Sequence, residues 1–146
     1  MVITQKIEFT SKKQLDFTDI TDAVRDTVRE SGAKGGMVVV FSQHTTMGVV
    51  INHHEPMLLQ DMTHVLQRLV PVDAQYAHDV FELRSTRTPS DGRSNGHSHC
   101  KAMLLGGDVT IPLADGELLL GERQSILAVD LDGPRTRDII IHIVSV

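Results

Sequence analysis

The chain has 146 residues and a net charge of −5, and 40% of its residues are hydrophobic although only 3% are aromatic. These values are typical of a globular domain with an aliphatic core, and they argue against a nucleic-acid partner, which requires basic stretches or stacked aromatic rings. The single cysteine excludes an intrachain disulfide, and without an apolar run of membrane-spanning length or a signal-peptide pattern we expect a cytoplasmic protein with no membrane partner.

The N-terminal part of the chain predicts a strand followed by an amphipathic helix. Apolar residues alternate loosely between residues 2 and 10, which is the period of a strand. From about Phe17 the apolar period becomes that of a helix. Gly32 is suited to the left-handed conformation that follows a helix, so it marks the predicted end. The buried face of this helix carries Ile20, Val24 and Val28.

Two strands and a second helix are predicted next. The runs "GMVVVFS" and "TTMGVVIN" have the length and the β-branched content of strands. Pro56 suits the first turn of a helix, and Val70-Pro71 ends that helix. The predicted buried stripe of this helix consists of Leu58, Leu59, Met62, Val65, Leu66 and Leu69.

The C-terminal half begins with an irregular segment, residues 71–95, whose length indicates a functional loop. The stretch "GHSHCKAMLLGG" predicts a short helix that Gly106 closes. Three strands then follow, in "DVTIPL", in "ELLLG" continuing through "QSILAVDL", and in "RDIIIHIVSV". The short turns "ADGE" and "LDGPR" between them predict antiparallel pairing, so we expect one α+β domain over residues 1–146.

Histidines are the first candidates for a functional site, because three converging imidazoles can hold a metal ion and leave a position open for water or substrate. Most of the eight histidines fall in the middle of the chain, namely His44, His53, His54, His64, His78, His97 and His99. The alternative for each one is an exposed or hydrogen-bonded surface residue. Asn95 and His99 would share one helix face, whereas His97 and His99 would point in opposite directions on a regular helix.

Arginines that follow a Gly-Pro turn are the second candidates. Arg135 and Arg137 lie two residues apart, so on an extended strand their side chains would share a side. Guanidinium groups bind phosphate or carboxylate through paired hydrogen bonds, and the hydroxyls of Thr45 and Thr46 suit phosphate oxygens. Three loop arginines, Arg84, Arg87 and Arg93, would extend a cationic rim. The alternative is that such arginines are simply exposed.

Four stretches, "SQHTTMGVVIN", "YAHD", "SNGHSHCKAMLLGG" and "IPLADGELLLGERQSILAVDLDGPRTR", together resemble the YjbQ-like family, also called secondary thiamine-phosphate synthases. The resemblance runs in order over nearly the whole chain. It implies a YjbQ-like α+β fold, a mostly antiparallel, β-sandwich-like sheet with two main helices and one short helix, and it implies a homotrimer. Two positions depart from the family pattern: His53 stands where a Glu is usual, and Arg123 where a Trp is usual.

The resemblance also implies a candidate site. His44, His78 and His99 match the recurring histidines of the family and are the predicted ligands of a divalent metal. Imidazole ligands favour zinc, whereas a pyrophosphate substrate would favour magnesium. The predicted catalytic residues are His44, His78, His99, Asn95 and Asp79, and the predicted substrate-binding residues are Thr45, Thr46, Arg135, Arg137 and Gln124.

Three functions remain open from the sequence. The resemblance implies a transferase that joins a pyrimidine methyl pyrophosphate to a thiazole phosphate and releases pyrophosphate, as a main or a side activity. Because three histidines are the wrong ligands for magnesium, a zinc-dependent hydrolase of a small phosphorylated or other anionic substrate is the first alternative. In that reaction, Asp79 or Glu55 would act as a base or orient a ligand. A non-catalytic, oligomeric metal- or ligand-binding protein is the second alternative.

Overall fold

Two antiparallel sheets form the frame of the molecule in the computed structural model, which describes residues 1–83 and 92–146. Arg84 and Arg87 lie outside the described residues. The helices are α1 (Thr21–Ser31), α2 (Pro56–Leu69) and α3 (Gly96–Leu105). The strands are β1 (Val2–Thr10), β2 (Asp16–Asp19), β3 (Gly35–Phe41), β4 (Met47–Asn52), β5 (Asp108–Ala114), β6 (Glu117–Leu118), β7 (Ser125–Asp130) and β8 (Thr136–Ser145).

The strand order separates the two sheets. The larger sheet has the order β1-β8-β3-β5-β6, and the smaller has the order β2-β7-β4. Neighbouring strands within the described residues pair antiparallel. This arrangement, with two main helices and a shorter third, confirms the predicted α+β class and its sandwich-like packing of antiparallel strands.

β7 is the strand on which the layers are built, because both of its faces are buried. Ile126 and Ala128 face a core that the larger sheet and α1 complete. Leu127 and Val129 face a second core beneath α2 and α3. A strand covered on both faces is expected to be a continuous apolar run, and "SILAVD" is one.

The predicted helix ends at Pro56 and Gly32 are confirmed in the structure, and Glu55, which the sequence did not single out as a cap, precedes the first of them. Glu55 is the N-cap of α2, where its carboxylate accepts hydrogen bonds from the backbone N–H groups of Met57 at 3.0 Å and Leu58 at 2.7 Å. Pro56 follows in the first turn, as expected. Gly32 ends α1 in the left-handed conformation, with φ of 72°.

Two predicted boundaries were wrong. The helix expected from Phe17 begins at Thr21, because residues 16–19 instead form β2 and pair with β7. The strand expected to run from "ELLLG" into "QSILAVDL" is broken into β6 and β7, which belong to different sheets. In both cases β7 and its distant partners override the local pattern: β7 pairs with β2 and β4, whereas β6 stays with the preceding strand β5.

The predicted buried stripe of α2 is only partly buried. Leu66 is buried against Leu127, but Val65 is 51% exposed and Leu69 is 67% exposed. α2 therefore leaves part of its apolar face uncovered in the chain. None of the helices within residues 1–83 and 92–146 combines the length and the apolar character needed to cross a membrane.

A buried ion pair joins the end of β7 to the start of β8. Arg137 donates from Nη2 to Asp130 Oδ1 at 2.9 Å and from Nε to Asp130 Oδ2 at 3.1 Å, and both side chains are buried. Ser11 Oγ donates to the same carboxylate at 2.6 Å. Burial alone would raise the pKa of Asp130, but hydrogen bonds from Arg137, Ser11 and the backbone N–H of Asp132 lower that pKa below its usual value.

We expect Arg137→Met to destabilise the fold by about 3–5 kcal/mol, because it leaves the Asp130 carboxylate buried without its counter-ion. The control is Arg25→Met, which removes an exposed ion pair with Asp22 and should cost less than about 1 kcal/mol. Urea unfolding at neutral pH measures both. Equal losses in the two variants would contradict the role given to the buried pair.

The same pair sets the sign of the pH dependence. Since the folded-state pKa of Asp130 is lowered, its contribution to stability is complete above the unfolded-state pKa of about 3.9 and is lost as the pH falls through the folded-state pKa. In Arg137→Met, no positive charge offsets the cost of burying the Asp130 carboxylate. Protonation of Asp130 at low pH therefore removes much of that cost and restores part of the stability of the variant. The stability gap between wild type and Arg137→Met should therefore narrow on acidification.

Candidate functional site

The connection between β7 and β8, residues 131–135, is held tightly against the segment after β1. A Cβ atom on Gly133 would lie 2.5 Å from the carbonyl oxygen of Lys13 and 2.6 Å from Ser11 Oγ, so only glycine allows this approach. The backbone N–H of Gly133 donates to the carbonyl of Gln14 at 3.0 Å, and that of Arg135 donates to Ser11 Oγ at 2.9 Å. This connection places Asp132 and Arg135 beside α3.

A cleft of about 270 Å³ opens between this connection, the segment before β4 and the start of α3. Its lining residues are Gln43, His44, Thr45, Thr46, Asn95, His99, Arg135 and Arg137. Seven of these eight were candidates from the sequence. The cleft thus brings together two of the predicted histidines, both threonines and both arginines from parts of the chain that are distant in sequence.

The two arginines on the cleft wall have different surroundings. Arg137 is buried and donates to Asp130 and, from Nη2 at 2.8 Å, to Thr46 Oγ1. Arg135 is 40% exposed, and its Nη1 lies 3.6 Å from Asp132 Oδ2, beyond hydrogen-bond distance. The side chain of Arg135 makes no hydrogen bond within the described residues. Of the two, Arg135 therefore has its donors available for an anion.

His78 lies behind the cleft wall rather than in it. Its ring and that of His99 meet edge to face, with 4.7 Å between the ring centroids. Its Nε2 lies 3.1 Å from Asn95 Oδ1, and Asn95 in turn donates from Nδ2 to Asp132 Oδ2 at 2.9 Å. His78 therefore contacts two cleft residues, Asn95 and His99, without lining the cleft itself.

Asp79 holds α3 in place and does not line the cleft. The backbone N–H of Gly96 donates to Asp79 Oδ1 at 3.0 Å, and Asn95, at the N-cap, makes no capping bond of its own. A carboxylate at the start of a helix satisfies an unpaired N–H and is favoured by the helix dipole. A Cβ on Gly96 would lie 2.6 Å from Tyr76 Cβ, so glycine permits this contact. A general base would have to face the cleft, whereas Asp79 contacts the backbone at the start of α3.

Gln124 also lies outside the cleft. Its Oε1 accepts from the backbone N–H of Gly121 at 2.8 Å, which closes the turn between β6 and β7. No residue of that turn contributes to the cleft wall, so Gln124 lies apart from the other predicted substrate-binding residues, and its role in substrate binding stays a prediction.

His44 is paired with a carboxylate that the sequence did not single out. His44 Nε2 lies 3.0 Å from Asp138 Oδ1, and the ring is part of the cleft wall. The backbone N–H of Asp138 approaches the same nitrogen at 3.5 Å, but the carboxylate contact is shorter and requires a donor, so we place the proton on Nε2 and leave Nδ1 as the acceptor nitrogen. Nδ1 has no hydrogen-bond partner in the part of the chain that the structure describes. A histidine held in this way can exchange a proton with a group in the cleft.

The predicted metal ligands do not form a ready metal site in this arrangement. Across residues 1–83 and 92–146, no three His, Cys, Asp or Glu side chains are grouped closely enough to hold a metal ion. Nε2 of His44 faces Asp138, and Nε2 of His78 faces Asn95. The three imidazoles therefore do not fit a preformed three-ligand site, and the metal stays a prediction.

The opposite side of α3 contains a buried pair. Lys101 Nζ donates to His97 Nδ1 at 2.7 Å, and both side chains are almost fully buried. Burial lowers the pKa of His97, and the neighbouring Lys101 charge lowers it further; burial likewise lowers the pKa of Lys101. His97 thus faces the interior while His99 faces the cleft, in agreement with their predicted opposite directions.

Sequence reasoning missed the carboxylates that organise the cleft. Asp130, Asp132 and Asp138 each bind a predicted site residue, yet none was a candidate. One signal was present for the first two: charged residues interrupt the otherwise apolar run "ILAVDLD", and a buried charge requires a partner. For Asp138 no local signal exists, because its partner His44 is 94 residues away.

Comparisons with known proteins agree on one family. Residues 5–146 match the family described as UPF0047 protein, YjbQ-like. A UPF0047 protein of Methanothermobacter thermautotrophicus is 37% identical over 142 residues, which are 97% of this chain and 92% of that protein. UPF0047 protein YugU of Bacillus subtilis is 28% identical over 138 residues, 94% of each chain.

Solved structures give the same result. A YbjQ-like protein of unknown function from Sulfolobus solfataricus superposes with a TM-score of 0.89 at 30% identity, covering 100% of this chain and 99% of the other. An uncharacterised YjbQ/UPF0047 protein from Clostridium acetobutylicum has a TM-score of 0.82 at 33% identity, covering 95% and 99% of the two chains.

We expect Asp79→Ala to loosen the start of α3 and to lower the stability by about 1 kcal/mol, as for the loss of a helix cap. Urea unfolding gives the stability, and hydrogen exchange of the Gly96 amide reports the lost bond directly. Asp73→Ala removes an exposed carboxylate from the same loop and is the matched control. Unchanged exchange at Gly96 in Asp79→Ala would disprove the capping role.

Proposed function

The chain belongs to the YjbQ-like UPF0047 family. We propose that it has the activity that the resemblance implies, that of a thiamine-phosphate-synthase-like transferase, and an arginine-lined cleft supports this proposal as far as the binding of anions is concerned. The reaction joins a pyrimidine methyl pyrophosphate to a thiazole phosphate and releases pyrophosphate, as a main or a side activity. The substrates are small phosphorylated molecules, so the first requirement of the site is to bind anions.

The observation that carries the proposal is the placement of Arg135. Its guanidinium lies on the cleft wall with no side-chain hydrogen bond among the described residues, while Arg137 on the same wall is committed to Asp130. The exposed hydroxyl of Thr45 and the ring of His99 share that wall. A guanidinium with available donors binds phosphate oxygens through short, charge-assisted hydrogen bonds.

The proposed chemistry requires charge stabilisation more than proton transfer. The lone pair of the thiazole nitrogen forms a bond to the exocyclic methylene carbon of the pyrimidine, while the bond from that carbon to the pyrophosphate oxygen breaks. The nitrogen becomes quaternary without losing a proton, and the electron pair leaves with pyrophosphate. Arg135 would stabilise the negative charge that develops on that oxygen. Donors that are already in position before the reaction stabilise such charge without a reorganisation cost.

Hydrolysis of a phosphorylated substrate is a second candidate, favoured by the pairing of Asp138 with His44 at 3.0 Å. Nδ1 of His44 would accept a proton from water as the water oxygen attacks phosphorus and the ester oxygen leaves. Release of phosphate without a thiazole acceptor distinguishes this reaction from the transferase. Anion binding without turnover would leave the non-catalytic binding protein.

A homotrimer is part of the same proposal. The apolar side chains that α2 exposes, among them Val65 and Leu69, support an assembly in which another copy covers them.

We expect Arg135→Ala to weaken the binding of pyrophosphate by about tenfold or more, because a charge-assisted hydrogen bond is lost. Isothermal titration with pyrophosphate measures the affinity, and formation of thiamine phosphate from the two substrates measures activity. Arg135→Lys should keep part of the affinity, since lysine retains the positive charge but cannot form the planar, bidentate hydrogen bonds of a guanidinium.

The matched control for Arg135 is Arg123→Ala, which removes an exposed arginine from the turn between β6 and β7, outside the cleft. Its affinity for pyrophosphate should equal that of the wild type. Equal losses in Arg123→Ala and Arg135→Ala would indicate a general effect of net charge and would remove Arg135 from the site.

The metal content of protein purified without a chelator tests whether the chain binds the divalent metal that the resemblance implies. On that proposal, a divalent ion, zinc by the imidazole ligands, should be retained by wild type and lost in His44→Ala, His78→Ala and His99→Ala. His64→Ala, on the exposed face of α2, is the control and should keep it. Retention of the ion in all three variants would dismiss these histidines as its ligands.

A further inference from the structure

One carboxylate oxygen behind the cleft accepts two hydrogen bonds and forms a longer ion pair with Arg135. Asp132 Oδ2 accepts from Arg93 Nε at 2.9 Å and from Asn95 Nδ2 at 2.9 Å, and Arg135 Nη1 lies 3.6 Å away. Asp132 is itself buried, and its backbone N–H donates to Asp130 Oδ1 at 2.9 Å. The carboxylate is therefore fixed by the buried ion pair on one side and contacts the cleft residues on the other.

The hydrogen-bonding capacities of these groups determine how Asn95 is oriented. A carboxylate only accepts, so the Asn95 amide must turn its NH₂ group toward Asp132. The Oδ1 of Asn95 then faces His78 Nε2 at 3.1 Å, and because that oxygen also only accepts, Nε2 must carry the proton. Nδ1 of His78 is left as the unprotonated nitrogen. The orientation of one amide thus selects the tautomer of one imidazole.

The same orientation determines what Asn95 offers to a ligand. Asn95 is only 4% exposed, yet it forms part of the cleft wall. One N–H of its amide is used by Asp132, and the second has no partner in residues 1–83 and 92–146. With the opposite orientation, the carbonyl oxygen of Asn95 would stand in place of the NH₂ group, and the cleft wall would present there an acceptor that repels a phosphate oxygen.

We propose that Asp132 is the positioning residue of the anion cleft: through Asn95 it fixes an N–H donor on the cleft wall and the Nε2–H tautomer of His78. The part of this inference that concerns the anion rests on the proposed function, whereas the part that concerns the tautomer does not. Asp132 does not touch the ligand, and it acts through Asn95 and through its ion pair with Arg135.

This proposal and simple electrostatics predict opposite signs. Asp132 is a negative charge close to the cleft, so if charge alone mattered, its removal would tighten the binding of pyrophosphate. If Asp132 positions Asn95 and Arg135, its removal weakens binding even though the cleft becomes more positive. The direction of the change therefore separates the two explanations.

The experiment compares wild type with Asp132→Ala by two measurements. Ring ¹H–¹⁵N correlation spectra at about pH 8.5, roughly two units above the usual imidazole pKa, report the His78 tautomer. We expect Nε2–H in wild type and Nδ1–H in Asp132→Ala, because the Asn95 oxygen is then free to turn toward Arg93 and the NH₂ group toward His78. Titration with pyrophosphate should show binding at least about tenfold weaker in the variant.

Asp138→Ala is the matched control, since it removes the carboxylate of His44 and leaves the Asn95 contacts intact. It should change the ring signals of His44 but not those of His78. The His78 signals are assigned from their loss in His78→Gln. If Asp132→Ala does not fold, Asn95→Ala tests the same claim with Asp132 in place, and His78 should then show both tautomers in exchange.

The results have distinct meanings. A His78 that keeps the Nε2–H tautomer alone in Asp132→Ala (or in Asn95→Ala, should Asp132→Ala not fold) overturns the positioning role, as does unchanged or tighter binding of pyrophosphate in Asp132→Ala. Wild-type protein that fails to bind pyrophosphate overturns the proposed function, while the tautomer in Asp132→Ala still decides whether Asp132 orients Asn95.

Discussion

The buried ion pair between Asp130 and Arg137 is the interaction on which the cleft depends. Both charges lie out of water, where an unpaired carboxylate would cost several kcal/mol, so the pair tolerates little displacement. Asp130 also accepts from Ser11 and from the backbone of Asp132. The same carboxylate thus joins β7, β8 and the segment after β1, and the residues that follow it in the chain become the wall of the site.

Arg135 and Arg137 have different surroundings because only Arg137 lies on a strand. Arg135 and Arg137 would share a side if both lay on an extended strand, but β8 begins at Thr136 and Arg135 belongs to the connection before it. Arg137 therefore enters the core and Arg135 reaches the cleft. The two side chains therefore have different roles. The guanidinium of Arg137 stabilises the cleft wall through Asp130, and that of Arg135 keeps its donors available at the surface of the cleft.

Sequence patterns predicted what depends on neighbouring residues and missed what depends on long-range pairing. The start of α2 at Pro56 and the end of α1 at Gly32 were predicted because these signals depend on residues within a few positions. β2 was missed because its four residues are ordered only by β7. For the cleft, the predicted residues His44, Asn95 and His99 do line the wall, but Asp132 and Asp138 were missed, since their partners lie 37 and 94 positions away.

The recurring arrangement in the cleft is a donor or ring held from behind by a carboxylate: Asp130 behind Arg137, Asp132 behind Asn95 and Asp138 behind His44. Each carboxylate fixes its partner before any ligand arrives, and fixed dipoles stabilise charge better than groups that must first reorient. The proposed anion site is compatible with an acidic chain, because these three carboxylates contact the wall residues from behind, while Arg135 keeps donors available at the surface of the cleft. The net charge of −5 is therefore compatible with a cleft wall that carries arginines.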